Sequence, residues 1–173
     1  MSRAGRTLAQ RAAGVVSMVG AIEELDKARL ASGADERWPA LVAGVLLLAG
    51  GLVFVLWRRL TPPVKPVLAA AVAAAVAATA AGTLYASSSV CCMYSYGEGR
   101  GWPFFWLGRG ASADDPETAR LLAEANGWAL LPDGLLGNVV VGAYAGMIVM
   151  VVISVARRSK SGRKVISAPG VTG

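Results

Sequence analysis

From Trp38 to Trp57 the chain runs for 20 residues without a charge. At a rise of about 1.5 Å per residue, an α-helix of that length covers roughly 30 Å, the thickness of a bilayer's hydrocarbon layer. Tryptophans close both ends, where an amphipathic ring favours the membrane–water boundary, and Arg58 and Arg59 follow directly. A core helix of a soluble domain is rarely this long, uncharged and bracketed at once. The stretch therefore makes lipid the solvent for the chain, and lipid requires backbone polar groups to be satisfied inside helices.

Two further segments share the property. Residues 67–85 hold 19 uncharged positions dominated by alanine, which is less lipid-loving than leucine, so burial among neighbouring helices explains them best. Ala78 and Gly82 lie four apart there and offer a small-residue face for close approach of another helix. Residues 135–156 hold 22 uncharged positions, with Gly142 and Gly146 as a second such pair. Composition agrees: 16% of the 173 residues are charged and mean hydropathy is +0.53, against about 25% charged in soluble domains. The sequence thus predicts an all-α membrane protein with three transmembrane helices at about 38–57, 67–85 and 135–156. An N-terminal amphipathic helix within 1–37, a 86–134 loop containing one short helix, and a basic 157–173 tail complete the expected organisation.

In the N-terminal tail, Leu8, Ala12, Val15, Val16, Val19 and Ile22 fall along one helical face. A helix lying on the membrane or on the bundle is the expectation. A signal peptide fits less well, because Arg11 interrupts the front of the run and Ala12–Ile22 is only 11 residues long. A fourth, short crossing stays open. Between the second and third spans, Gly97-Glu98-Gly99-Arg100-Gly101 reads as a flexible turn and Trp102-Pro103-Phe104-Phe105-Trp106 as an aromatic block costly to leave in water. Asp115 suits a helix N-cap, Pro116 the first helical position, and Asn126-Gly127 the stop. Trp128–Leu131 reads as an interfacial contact, and Pro132-Asp133-Gly134 as a turn before the last span.

Orientation rests on lysine and arginine near span ends. With three spans, residues 58–65 and the C-terminal tail share a side and carry eight cations in short segments. The other side carries nine, spread thinly among acids. The expectation is a multi-pass protein of the plasma membrane with its N-terminus and residues 86–134 extracytoplasmic and its C-terminus cytoplasmic. The bias toward Ala, Gly, Val and Arg suggests a bacterial source.

The same residues limit the chemistry. The chain has no histidine, the commonest metal ligand and near-neutral acid–base group. Cys91 and Cys92 cannot by themselves complete a zinc or iron–sulfur site; a vicinal disulfide, a bond to a partner or to a second copy, or two small apolar side chains are the readings open to them. No catalytic residue, cofactor or metal is expected. The net charge of +6 sits beside apolar segments, as topology signals do, and not in a nucleic-acid patch. Trp102, Pro103, Phe104, Phe105 and Trp106 are candidates for contact with lipid or a partner protein, or for anchoring the loop. Ala78, Gly82, Gly142 and Gly146 are candidates for packing within the chain or for self-association. The leading expectation for function is a non-catalytic accessory, scaffolding or assembly component. A homo-oligomeric channel or small-solute transporter is the alternative, and an enzyme on lipid-linked substrates using Glu98, Arg100 or Asp115 is a third.

Overall fold

The computed structural model describes residues 3–91 and 94–166, with side chains within 8–34, 37–91 and 94–158. The elements are α1 (Arg3–Leu30), α2 (Ala34–Leu60), α3 (Val64–Gly82), β1 (Ala86–Cys91), β2 (Ser95–Arg100), β3 (Leu107–Ser112), α4 (Pro116–Asn126), β4 (Ala129–Leu130) and α5 (Pro132–Ile166). Three stretches, Arg37–Leu60, Val64–Gly82 and Pro132–Arg158, are long and apolar enough to cross a membrane. The second ends at Gly82 because Thr83 and Leu84 turn back on Ala80 and Ala81 with short-range hydrogen bonds. Pro132-Asp133-Gly134 is not a separate turn but the first turn of α5, where proline's missing N–H costs nothing.

Small residues set the helix packing. α1 and α2 form an antiparallel hairpin: a Cβ added at Gly14 would lie 2.8 Å from the Gly51 carbonyl, and one at Gly44 would lie 2.8 Å from Leu25. Ala21, Ala28 and Ala43 are buried in the same seam. α1 therefore lies along the bundle. Its aliphatic stripe faces away from it, with Val16 71% and Val19 62% exposed, because glycine and alanine give the closest backbone approach and leave the larger side chains outside. α3 and α5 repeat the device. Gly142 sits against Ala75 and Ala78, and a Cβ at Gly146 would come within 2.3 Å of the Ala70 carbonyl. The second glycine pair therefore packs within the chain.

Tyr144 joins the two hairpins. Its ring fills the space over Gly50 and meets Phe54 at 5.8 Å, and its hydroxyl makes a short hydrogen bond with Ser17. Val67, Met147 and Val151 form a buried cluster below it. At that far end Arg158 of α5 donates to the Leu60 and Thr61 carbonyls at 2.9 and 2.6 Å and to Thr61 Oγ1 at 2.7 Å. These are carbonyls that the end of α2 leaves without intrahelical partners.

At the opposite end, residues 86–134 depart from the all-α expectation. They contain a four-stranded antiparallel sheet in the order β1-β2-β3-β4, with α4 packed on β2 and β3. The segment read as a flexible glycine turn is strand β2. Its glycines recur with period two, as do those of β3, and the register sets Gly97 opposite Gly110 and Gly99 opposite Gly108. One face of the central pair is thus bare over four glycines, with Ser95 and Ser112 at its end. The other carries Tyr96, Glu98, Arg100, Leu107, Arg109 and Ala111. The bare face admits neighbours: the Phe105 ring lies where a Cβ at Gly99 would come within 2.7 Å.

Candidate functional site

The aromatic block connects β2 to β3 and crosses the ends of α3 and α5. Gly101, at φ 133°, begins it in a backbone conformation that L side chains rarely adopt, and the Trp102–Pro103 peptide is cis. Gly82 receives the Trp102 backbone, Gly137 the Phe104 ring, and Gly134 the Phe105 carbonyl. Asn138, 1% exposed, accepts from the Phe104 N–H at 3.0 Å and donates to the Phe104 carbonyl at 2.7 Å. Backbone polar groups of a loop over an apolar bundle need such partners. Of the small pair Ala78 and Gly82, the first thus meets Gly142 of α5 and the second meets the aromatic block.

On the side-chain face of the sheet, Glu98 and Arg109 stand directly opposite each other. Arg109 Nε donates to Glu98 Oε2 at 2.7 Å, and the Tyr96 hydroxyl approaches the same oxygen at 3.4 Å. Both side chains are largely buried, 13% exposed for Glu98 and 18% for Arg109. The guanidinium carbons of Arg100 and Arg109 each lie 4.7 Å from the centre of the Trp128 ring, within range for a cation–π attraction. Trp128, read from sequence as an interfacial contact, is therefore a packing partner for two cations. Asp115 stands apart from this cluster and caps α4, accepting from the Glu117 and Thr118 N–H groups at 3.0 and 2.9 Å. The Thr118 hydroxyl, then the Thr118 and Glu117 N–H groups, hold its carboxyl below the usual carboxylate range. Cys91 is exposed at the end of β1; Cys92, and with it any bond between the two, lies outside the described residues.

A cavity of about 600 Å³ opens where the α1–α2 turn, β1 and the aromatic block meet. Its polar lining comes from Glu24, Lys27, Ser87 and Ser89, and its aromatic walls include Tyr85 and Phe105. The two rings stack nearly parallel, 6.4 Å apart at 12°. Glu24 is 9% exposed. Lys27 Nζ donates to Glu24 Oε1 at 2.8 Å and pairs with Glu23 at 3.0 Å; the hydrogen bond to Glu24, then that to Glu23, holds the ammonium pKa above its ordinary value. Glu24 and Lys27 escaped the sequence reading, although their spacing of three on a helix is the signal of such a pair. Serines 87 and 89 share one face of β1, but nothing in the sequence brings that face to α1.

A second cavity, about 730 Å³, is an apolar groove between α3 and α5 that reaches Trp106. Thr79 Oγ1 and Trp106 Nε1, both on residues lining it, are buried without a hydrogen-bond partner among the described residues. Among the described residues no group of three His, Cys, Asp or Glu side chains is placed to hold a metal. No family model, curated protein or solved structure matches the chain.

Proposed function

We propose that this chain is a non-catalytic component of the cell membrane, with four crossings and both termini in the cytoplasm, that presents the sheet and α4 on the outside as a fixed docking platform. The topology differs from the expectation of an external N-terminus, and the α1–α2 hairpin supports the change. Because α1 runs antiparallel along α2, its first turns lie level with the end of α2 that carries Arg58 and Arg59. Arg3, Arg6 and Arg11 then join the cytoplasmic side. Eleven of the 17 cations fall there, and all 11 acids fall on the other side. The tie between the two sides disappears, in the sense the positive-inside rule requires. Exposed valines on α1 then face lipid, where they cost nothing.

The observation carrying the platform reading is the clamp on the aromatic block: Asn138, Gly82, Gly134 and Gly137 fix the sheet to the bundle instead of leaving it on a loose loop. A fixed surface binds a partner without first being ordered. β1 is one edge of the sheet, with all six residues exposed and none charged. Such an edge offers an extended segment of another membrane protein a row of unpaired backbone groups. Two measurements test the reading. Single cysteines at Ser2 and Ser161 should both be shielded from a membrane-impermeant thiol reagent in intact cells while one at Ser88 is labelled; labelling at Ser2 would return the N-terminus to the outside. A photo-crosslinker at Ser88 should then capture a second, different polypeptide in fixed ratio. Capture of identical copies alone, in a closed ring, would favour the channel.

A further inference from the structure

We propose that the cavity between the α1–α2 turn, β1 and the aromatic block is a binding site for an uncharged sugar ring. Glu24, itself nine-tenths buried, lends one oxygen to Lys27, and among the described residues Oε2 has no hydrogen-bond partner. A carboxylate oxygen only accepts, so it calls for a donor. Lys27 spends two N–H groups on Glu23 and Glu24 and keeps one, so it calls for an acceptor. Ser87 and Ser89 do either.

A cationic ligand would meet the Lys27 ammonium, and an anionic one would meet Glu24 with Glu23 beside it. A neutral group that both donates and accepts at several points satisfies the set without leaving a charge unpaired. Tyr85, Pro103, Phe104 and Phe105 give the cavity an apolar wall against which the C–H-bearing face of a pyranose can lie, while its hydroxyls reach the polar lining. The volume, about 600 Å³, lies in the range of small-molecule pockets and exceeds a single hexose. Under the topology proposed above, the mouth lies at the outer lipid surface, so the sugar can be a lipid headgroup or free in solution. Only the lipid-borne source rests on that topology, since a free sugar needs the cavity alone.

The test uses the full-length protein. In detergent, saturation-transfer NMR is recorded with maltose, lactose and chitobiose. In phosphatidylcholine nanodiscs, native mass spectrometry is run with added diglucosyl-diacylglycerol, phosphatidylglycerol or diacylglycerol. A soluble disaccharide signal assigns a free sugar; retention of the glucosyl lipid over diacylglycerol, without disaccharide binding, assigns a headgroup. In either case Glu24→Gln should weaken binding at least tenfold. The double variant Ser87→Ala/Ser89→Ala, on a strand whose residues are all exposed, should weaken it several-fold. The proposal is overturned if no sugar is bound in either format, if phosphatidylglycerol is retained as well as the glycolipid, or if the serine variant binds as the wild type does. Failure here leaves the topology standing, because thiol labelling reads that independently.

Discussion

Asn138 holds the backbone of Phe104 by both of its polar groups, one carboxamide accepting and donating across 34 residues of sequence. The side chain is buried on α5, so the loop that carries the sheet is tied to one of the three long apolar helices and not to water. Replacing Asn138 by alanine leaves both the N–H and the carbonyl of Phe104 without those partners. Each unsatisfied buried group costs about 1–3 kcal/mol. Asn138→Ala should therefore lower stability by roughly 2–6 kcal/mol on that basis, and the sheet end should loosen first, seen in detergent as faster amide exchange in β2 and β3. Unchanged exchange there would remove Asn138 from its role.

Gly146 and Gly20 make opposite predictions from the same chemistry. A Cβ at Gly146 would sit 2.3 Å from the Ala70 carbonyl, which is backbone and cannot yield, whereas one at Gly20 meets nothing within 4 Å. Gly146→Ala should part α3 from α5 and lower the melting temperature sharply. Gly20→Ala should raise stability, by up to about 1 kcal/mol, because alanine loses less backbone entropy in a helix. Equal effects at the two sites would contradict the packing described.

Glu98 and Arg109 form a cross-strand pair mostly withdrawn from water, so removing one partner strands a charge. Single variants Glu98→Gln and Arg109→Met should each destabilise the sheet end, and the double variant should recover part of the loss. A coupling of about 0.5–3 kcal/mol is anticipated for neighbours in one network. Additive single effects would show that the pair contributes nothing as a pair.

Asp115 gives α4 an acid-sensitive start. Its folded pKa is depressed by the bonds from Thr118 and Glu117. The stabilisation is therefore complete above the unfolded aspartate value of about 3.9 and is lost as pH falls through the lower folded value. Amide exchange in α4 should rise over that acid range in the wild type. Asp115→Asn, which keeps an accepting oxygen without a titrating charge, should flatten the dependence.

Thr79 offers a gain. Its hydroxyl is buried without a partner, so Thr79→Val keeps the shape and removes an unsatisfied polar atom. Stability should rise by about 1 kcal/mol or stay level. A clear loss would mean that the hydroxyl is bonded in the membrane.

Hydropathy and charge along the chain decided the three long apolar helices, because transfer to lipid acts on each segment of about 20 residues on its own. The start and stop of α4 were equally legible, since Asp115, Pro116 and Gly127 act on backbone within a few residues. The sheet was present in the sequence as period-two glycines at 97, 99, 108 and 110, but read as flexibility, because a bare face looks like a loop until something covers it. What only the tertiary structure decided are relations between distant segments. Gly14 against Gly51 turned a tail into a partner helix, Asn138 turned an aromatic block into a clamp, and Ser87 and Ser89 met Glu24. Each depends on which small residue admits which neighbour, a pairwise property of shape that no local pattern of polarity encodes.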